Sequence, residues 1–149
     1  NIKNKYACFI QKNFQSKINL LNISDKHWMG TKIIQKKHLK SPQWLRNIKT
    51  AKPSFWKFYK PRQPQLIYDG GWHFSFLKNP SGIAKKIKSF SHSEFNKPEY
   101  TDEKKIEERI KKRIDIFDRN YVYKKINLDN SFPKYLLENK NKYKSWIIE

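Results

Sequence analysis

A histidine and a carboxylate lie two positions apart, at His92 and Glu94, and this pair could do acid–base chemistry. An imidazole and a carboxylate close together can exchange protons with a reacting hydroxyl group. The pair follows a segment with a helical pattern, so it would close that helix and open a loop. The ordinary alternative is a surface helix end with polar residues, and that alternative is favoured when the pair is considered alone.

A second segment, with the sequence DGGWH, has the properties of a ligand-binding loop. Asp69 begins a turn, and Gly70 and Gly71 let the backbone approach a ligand closely because they carry no side chain. Trp72 and His73 then add an aromatic face and an imidazole. The alternative is a hairpin turn with the histidine on its polar face and the tryptophan in the core, and it too is favoured when the segment is considered alone.

Other motifs limit the chemistry further. The turn around Gly30 is either a ligand loop or a turn capped by a buried Trp28. The four histidines form no HExxH or other dense ligand pattern, which argues against a complete metal site within the chain. The single cysteine, Cys8, excludes an intrachain disulfide and a Cys-rich zinc site. The sequence contains no nucleophile elbow, phosphate-binding glycine loop or dinucleotide fingerprint.

The elements that must position these residues begin with strands. Alternating apolar residues predict strands over residues 5–21 and 66–77. Residues 24–30 are expected to form a loop, and residues 31–39 a short helix or strand. Four prolines among many aromatics predict an irregular packed loop over residues 41–65.

Helices are predicted later in the chain, over residues 80–90, 102–116 and 133–147. Thr101 is the predicted cap of the second helix. Strands early and helices late fit part of a larger α/β fold. The inner face of the second helix would consist of four apolar residues at helical spacing: Ile106, Ile110, Ile114 and Phe117.

The chain is strongly basic, with 33 Lys and Arg against 13 acidic residues in 149, a net charge of +20. Such a charge suggests nucleic acid or an anionic membrane as a partner. Only five of the cations are Arg, however, and the Arg fork is what specific phosphate and base contacts favour. A solvated basic surface is therefore the favoured interpretation, and nucleic acid is an unfavoured partner.

Two other functions stay as alternatives. A basic nucleic-acid-binding module is supported by the alternation of Lys and aromatic residues over 55–60, which could stack on single-stranded bases. A peripheral membrane module is opposed by the mixture of Glu and Lys on the outer face of the helix predicted over 102–116, although some membrane association stays open. No apolar run approaches the roughly 18 residues of a membrane span.

Several segments, taken in order, resemble the second half of glycosyltransferase family 17. This family includes the animal enzyme that adds the bisecting N-acetylglucosamine to N-linked glycans. The similarity is clear over about residues 67–146, and Trp28-x-Gly30 and LRN at 45–47 extend it loosely. The segments that carry it are GGWHFSFL at 70–77, PxGI at 80–83 with KxxS at 86–89, HxE at 92–94, and FPKYLLEN at 132–139.

The resemblance implies transfer of N-acetylglucosamine or a related sugar from a UDP donor to a hydroxyl of a glycan or glycoprotein, with inversion. The implied fold is a Rossmann-like α/β fold of the GT-A type, of which residues 1–149 would be a single, partial, carboxy-terminal domain. Such enzymes hold a divalent metal, Mn²⁺ or Mg²⁺, through an Asp-x-Asp motif that this sequence lacks. We expect that motif upstream of Asn1 and little turnover by this chain alone.

The resemblance also implies roles for individual residues. Glu94 would be the general base, with His92 beside it as a second catalytic residue. His73 would contact the metal or the diphosphate, and Trp72 would stack on a sugar. An animal-like member would reside in the Golgi, and a microbial one in the cytoplasm or at a membrane. The remaining donor- or acceptor-binding residues would be Gly30, Asp69, Gly70 and Gly71.

Overall fold

The computed structural model describes residues 2–51, 56, 63–89 and 93–148, a mixed α/β chain that forms two compact units. The first unit contains Asn1–Lys12 and His27–His73, and the second contains Asn13–Lys26 and Phe74–Glu149. Each unit therefore consists of two segments of the sequence. Strands β2 (Gln11–Gln15) and β7 (Trp72–Ser75) each begin in the first unit and end in the second unit. None of the helices within these described ranges is long and apolar enough to cross a membrane.

The first unit is built on a three-stranded sheet with β1 (Tyr6–Phe9) at its centre. Strand β5 (Lys32–Ile34) pairs with β1 antiparallel, and β6 (Gln65–Ile67) pairs with it parallel. Ala7 and Cys8 on the central strand are fully buried. The strands predicted from the alternating apolar residues in these segments are therefore confirmed.

Two expectations about loops in the first unit are wrong. Residues 24–30 contain a short strand, β4 (His27–Trp28), which pairs antiparallel with the start of β2. The chain after residue 41 begins with helix α1 (Pro42–Asn47) rather than an irregular loop. Ser41 accepts a hydrogen bond from a backbone N–H of that helix, and proline is favourable at the first helical position, so the segment begins a helix.

Two expectations remain for the first unit. The one for residues 31–39 is confirmed, and the one for the later part of the loop falls on residues that the structure does not describe. Residues 31–39 form both predicted possibilities in turn, because a 3-10 helix (Lys36–His38) follows strand β5. The later part of the expected loop, residues 52–55 and 57–62, lies outside the described residues.

The second unit contains its own strand pairs. The end of β2 pairs antiparallel with β3 (Leu20–Asn22), and β3 pairs antiparallel with β8 (Tyr123–Lys125). Phe14 on β2 is fully buried, and its ring lies 5.2 Å from that of Phe74 and 5.5 Å from that of Phe132. These contacts hold the sheet of the second unit against the carboxy-terminal segment.

Helices α2 (Pro80–Lys88), α3 (Pro98–Thr101) and α4 (Glu103–Lys112) form the rest of the second unit's core. Asn79 caps α2 by accepting a hydrogen bond from the Gly82 N–H at 2.8 Å. The helices at 80–90 and 102–116 are therefore confirmed in type, with shorter bounds. The buried apolar residues that join them are Phe76, Ile83, Ala84, Ile87, Ile106, Ile116 and Phe117.

Helix α4 differs from its prediction at both ends. Its cap is Asp102, not Thr101, because the Asp102 carboxylate accepts a hydrogen bond from the Lys105 N–H at 2.8 Å. Its other end comes at Arg113, which has the left-handed φ of 57°. The chain turns there, so Ile114 leaves the inner face of the helix and is 46% exposed, which corrects its predicted place on that face.

The last predicted helix, over 133–147, is not continuous. Helix α5 (Lys134–Glu138) ends at Asn139, and a 3-10 helix (Lys140–Trp146) follows. The Asn139 side chain donates a hydrogen bond to the Tyr135 carbonyl at 2.8 Å, which satisfies a carbonyl at the end of α5. Leu136 is buried as predicted.

A buried carboxylate, Asp115, lies at the centre of a hydrogen-bond network in the second unit. Its side chain is fully buried and accepts two hydrogen bonds from the Arg119 guanidinium, at 2.8 and 2.9 Å. The Tyr123 hydroxyl donates to it at 2.7 Å, and the Gln15 amide at 3.3 Å. The Phe117 N–H donates to it at 2.9 Å. This carboxylate therefore ties the loop after α4 to strands β2 and β8.

The network keeps Asp115 ionised. Burial by itself would raise its pKa, but hydrogen bonds from Arg119 and Tyr123 and the charge of Arg119 outweigh burial and lower the pKa from 3.8 to about 2. Burial and the neighbouring carboxylate raise the pKa of the Tyr123 hydroxyl, which stays protonated as a donor. Because the folded pKa of Asp115 lies below its unfolded value, its contribution to stability is complete above pH 3.8 and is lost as the pH falls towards 2.

We predict that Asp115→Asn lowers the free energy of unfolding by about 2–4 kcal/mol, because it leaves buried donors without their charged acceptor. Denaturant unfolding at neutral pH measures this loss. The matched control is Glu108→Gln, which breaks the exposed pair with Lys112 and should change the free energy of unfolding very little, because solvent screens exposed ion pairs.

The pH dependence of the free energy of unfolding, compared between wild type and Asp115→Asn, tests whether the charge of Asp115 is the cause. The stability difference between wild type and Asp115→Asn should shrink as the pH falls from about 4 to about 2. A difference that does not change over this range would show that the charge of Asp115 is not what stabilises the unit.

Candidate functional site

The candidate site in the first unit lies at the carboxyl ends of the two parallel strands, β1 and β6. The Ile10 N–H donates a hydrogen bond to the Ile67 carbonyl at 2.8 Å, and the Gly70 N–H donates to the Ile10 carbonyl at 2.9 Å. The two strand ends are therefore joined by backbone hydrogen bonds. Loops at the carboxyl ends of parallel strands are where α/β proteins usually bind ligands.

The turn at residues 69–71 is held tightly against these strand ends. Asp69 has a left-handed φ of 50°, and Gly71 has a φ of 116°, which a residue with a side chain rarely adopts. A Cβ atom on Gly70 would lie 2.7 Å from Phe9 Cβ, so no larger residue fits there without a shift. The Gly71 carbonyl accepts a hydrogen bond from the Lys12 N–H at 3.0 Å. The glycine pair thus allows close backbone packing.

The alternative of a hairpin at this turn is wrong. Strand β6 before the turn pairs with β1, whereas β7 after the turn pairs with β2. The turn therefore connects two strands that do not pair with each other. Asp69 in this connection is exposed, whereas Gly70 and Gly71 are half-buried.

His73 stacks on the indole of Trp28. The two rings are 4.1 Å apart between centroids and inclined by 12°, and Trp28 is 40% exposed. A Cβ atom on Gly30 would lie 2.4 Å from the Trp28 indole nitrogen, so a larger residue at that position requires the indole to shift. The alternative in which a buried Trp28 caps a turn is therefore wrong. The structure instead brings Gly30, Trp28 and His73 together in a half-exposed aromatic pair.

Two polar residues that the sequence analysis did not single out also belong to this region. The Thr31 hydroxyl donates a hydrogen bond to the Gln11 side-chain carbonyl at 2.8 Å, and the Phe9 N–H donates to the Thr31 carbonyl at 3.0 Å. The Gln11 amide nitrogen would lie 3.5 Å from a Cβ atom on Gly71. These contacts fix the loop after β4 beside the turn. Trp72, on β7, is half-buried.

Glu94 lies in the second unit, on a 3-10 turn at Ser93–Phe95, and is exposed. The turn is anchored by Phe95, whose ring lies 4.6 Å from that of Phe117 and 6.4 Å from that of Tyr100. The carboxylate therefore projects from a segment that is fixed to the helical core. His92 lies outside the described residues, so its predicted place beside Glu94 stays a prediction.

A metal site built from three or more protein ligands is not present among the described residues. No group of three His, Cys, Asp or Glu side chains lies close enough together there to hold an ion. The ring of His73, for which a metal or diphosphate contact is expected, packs against Trp28, and this stacking leaves that expectation untested.

Comparison with known proteins identifies the family. The model of glycosyltransferase family 17 matches residues 35–147, a range that includes the turn at 69–71, His73 and Glu94. No curated protein and no solved structure matches the chain. Because the family match covers most of the sequence and agrees with the resemblance carried by the motifs, the chain belongs to glycosyltransferase family 17.

Proposed function

We propose that this glycosyltransferase moves N-acetylglucosamine, or a related sugar, from a UDP donor to a hydroxyl of a glycan or glycoprotein, with inversion. The observation that carries the proposal is the family match, whose range includes an exposed carboxylate on an anchored turn and a glycine-rich loop at parallel strand ends. A carboxylate that accepts a proton and a loop that accepts a nucleotide sugar are the two parts that such a transfer needs.

A donor site in the first unit is supported by the strand ends. A GT-A type, Rossmann-like arrangement would bind the nucleotide at the carboxyl ends of parallel strands, and β1 and β6 are such a pair. Gly30, Gly70 and Gly71 are proposed to contact the donor or acceptor through their backbone. Of the three, Gly71 has the most open surroundings, because a Cβ atom there would meet only the Gln11 amide, at 3.5 Å. Asp69 flanks the same turn.

His73 is proposed to contact the donor diphosphate. Stacking on Trp28 fixes the orientation of the imidazole, and a fixed N–H donor can offset the charge that develops on the departing UDP. Trp72, next to it on β7, is proposed to contact a sugar ring. This role of His73 is proposed to be towards the diphosphate itself or towards a divalent metal, Mn²⁺ or Mg²⁺, bound to that diphosphate.

Glu94 is proposed to be the general base. In an inverting transfer the acceptor oxygen attacks the anomeric carbon from the side opposite UDP, and the bond from that carbon to the diphosphate oxygen breaks. The proton of the attacking hydroxyl passes to the carboxylate, and the bonding electrons leave with UDP. Phe95 anchors the turn, which holds the carboxylate in place, and His92 is proposed to assist it.

We predict that Glu94→Gln in the full-length enzyme lowers kcat by about 10²–10⁴-fold, because the amide cannot take the proton. The KM for the UDP donor should change little, since the base acts on the acceptor. The matched control is Glu103→Gln, which makes the same change at another exposed glutamate and should leave kcat unchanged. Steady-state kinetics and melting temperatures of both variants test this.

One outcome would reassign the base. If folded Glu94→Gln keeps near wild-type turnover, Glu94 is not the base, and Asp69 becomes the next residue to substitute. A substitution of Lys111, which lies on the outer face of α4, would not serve as a control in this experiment. Lys111 lines a cleft of the second unit and could affect a ligand bound there.

We predict that His73→Ala raises the KM for the UDP donor by about tenfold or more, the effect of losing one hydrogen bond to a charged group. His38→Ala, at a half-buried histidine in the same unit, is the control and should leave donor binding unchanged. Direct binding of UDP to the two variants separates the donor effect from catalysis. Equal UDP affinity in wild type and His73→Ala would exclude the proposed contact.

A further inference from the structure

The second unit contains a cleft of about 720 Å³. Its lining includes none of the proposed catalytic or donor-binding residues. Its apolar lining includes Ile110 on α4 and Trp146, which are both half-buried, together with Pro80, Ile147 and Ile148. Four cationic side chains also line it, against one acidic side chain. The cations are Lys17, Lys78, Lys111 and Arg113.

The four cations are not equivalent. Lys111 is paired with Glu107, the acidic residue of the lining, at 2.7 Å, and the Lys17 amino group donates a hydrogen bond to the Ser145 carbonyl at 2.7 Å. Lys78 and Arg113 form no ion pair with any acidic side chain in the described part of the chain. These two charges are therefore available to an anion that enters the cleft.

Both available cations are attached to well-defined backbone positions. Lys78 directly precedes Asn79, the cap of α2, and Arg113 is the left-handed residue that ends α4. Helices α2 and α4 pack against each other through the buried residues of the core. The backbone of Lys78 and that of Arg113 therefore each adjoin one end of a helix in this packed pair.

The combination of an indole with these charges indicates the ligand class. Ligand sites are mostly apolar and aromatic, with a few polar groups that fix the orientation of the ligand. An indole accommodates the flat apolar face of a sugar ring, and paired cations bind a phosphate or carboxylate through charge-assisted hydrogen bonds. We propose that the cleft is a second ligand site that binds a sugar carrying an anionic group. The choice of a sugar relies on the family, and the site itself does not depend on the proposed transfer.

Calorimetric titration of the full-length protein tests this proposal with four probes: glucose 6-phosphate, glucuronate, glucose and inorganic phosphate. We expect at least one of the two anionic sugars to bind saturably and more tightly than both glucose and inorganic phosphate. The better of the two identifies the anion as a phosphate or a carboxylate. Failure of both anionic sugars to bind would overturn the proposal.

Three variants locate the binding. Lys78→Gln and Arg113→Asn should each weaken binding of the anionic sugar by about tenfold, and asparagine tolerates the left-handed backbone at position 113. Lys104→Gln removes the same charge from another exposed lysine that does not line the cleft, and it should have no effect. Equal weakening by Lys78→Gln and Lys104→Gln would show only a general attraction to the basic surface, and the proposal would then be wrong.

Two further variants separate this site from the transfer reaction. Trp146→Leu should weaken binding of the anionic sugar but not of inorganic phosphate, because only the sugar ring uses the indole. Glu94→Gln should leave binding of the anionic sugar unchanged, whatever its effect on turnover. Binding that survives Trp146→Leu, Lys78→Gln and Arg113→Asn would place the ligand elsewhere and overturn the proposal.

Discussion

The buried charge of Asp115 is the interaction on which the second unit depends. A carboxylate without water is stable only where hydrogen bonds and a counter-charge compensate for lost hydration, and Arg119, Tyr123 and Gln15 supply them here. Ile116 and Phe117 follow directly and enter the helical core. Because Phe117 packs against Phe95, the network also fixes the turn that carries the proposed base. Catalysis by this turn would therefore be sensitive to changes at a residue that touches no substrate.

The first unit depends on a different constraint, the close approach of its backbone to its own side chains. Its glycines are required by contacts within the protein: Gly30 lies against the Trp28 indole and Gly70 against Phe9. The proposed donor site lies at the ends of β1 and β6, beside these glycines. His73 reaches this region with its ring fixed by stacking. Packing within the unit and the proposed donor binding both favour glycine at these positions. The sequence motif alone therefore could not distinguish a packing role from a ligand-binding role.

Features that depend on neighbours in sequence were predictable. The alternation of apolar residues predicted the strands, helical spacing predicted α2 and α4, and the pair of Glu107 with Lys111 follows from their spacing of four. Features that depend on distant residues were not. The stack of His73 on Trp28 and the network around Asp115 join segments far apart in the chain. Ile114 fitted the helical period, but the left-handed Arg113 ends the helix before it.

The stereochemistry of transfer tests the central claim most directly. Donors such as UDP-N-acetylglucosamine carry the sugar in the α configuration, so a single displacement assisted by one carboxylate gives a β-linked product. Proton NMR of the product formed by the full-length enzyme, followed from the first turnover, distinguishes the two anomers. Inverting transfer with Glu94 as the base predicts the β-linked product from wild type and almost none from Glu94→Gln. An α-linked product, or equal product from the two proteins, would contradict this mechanism.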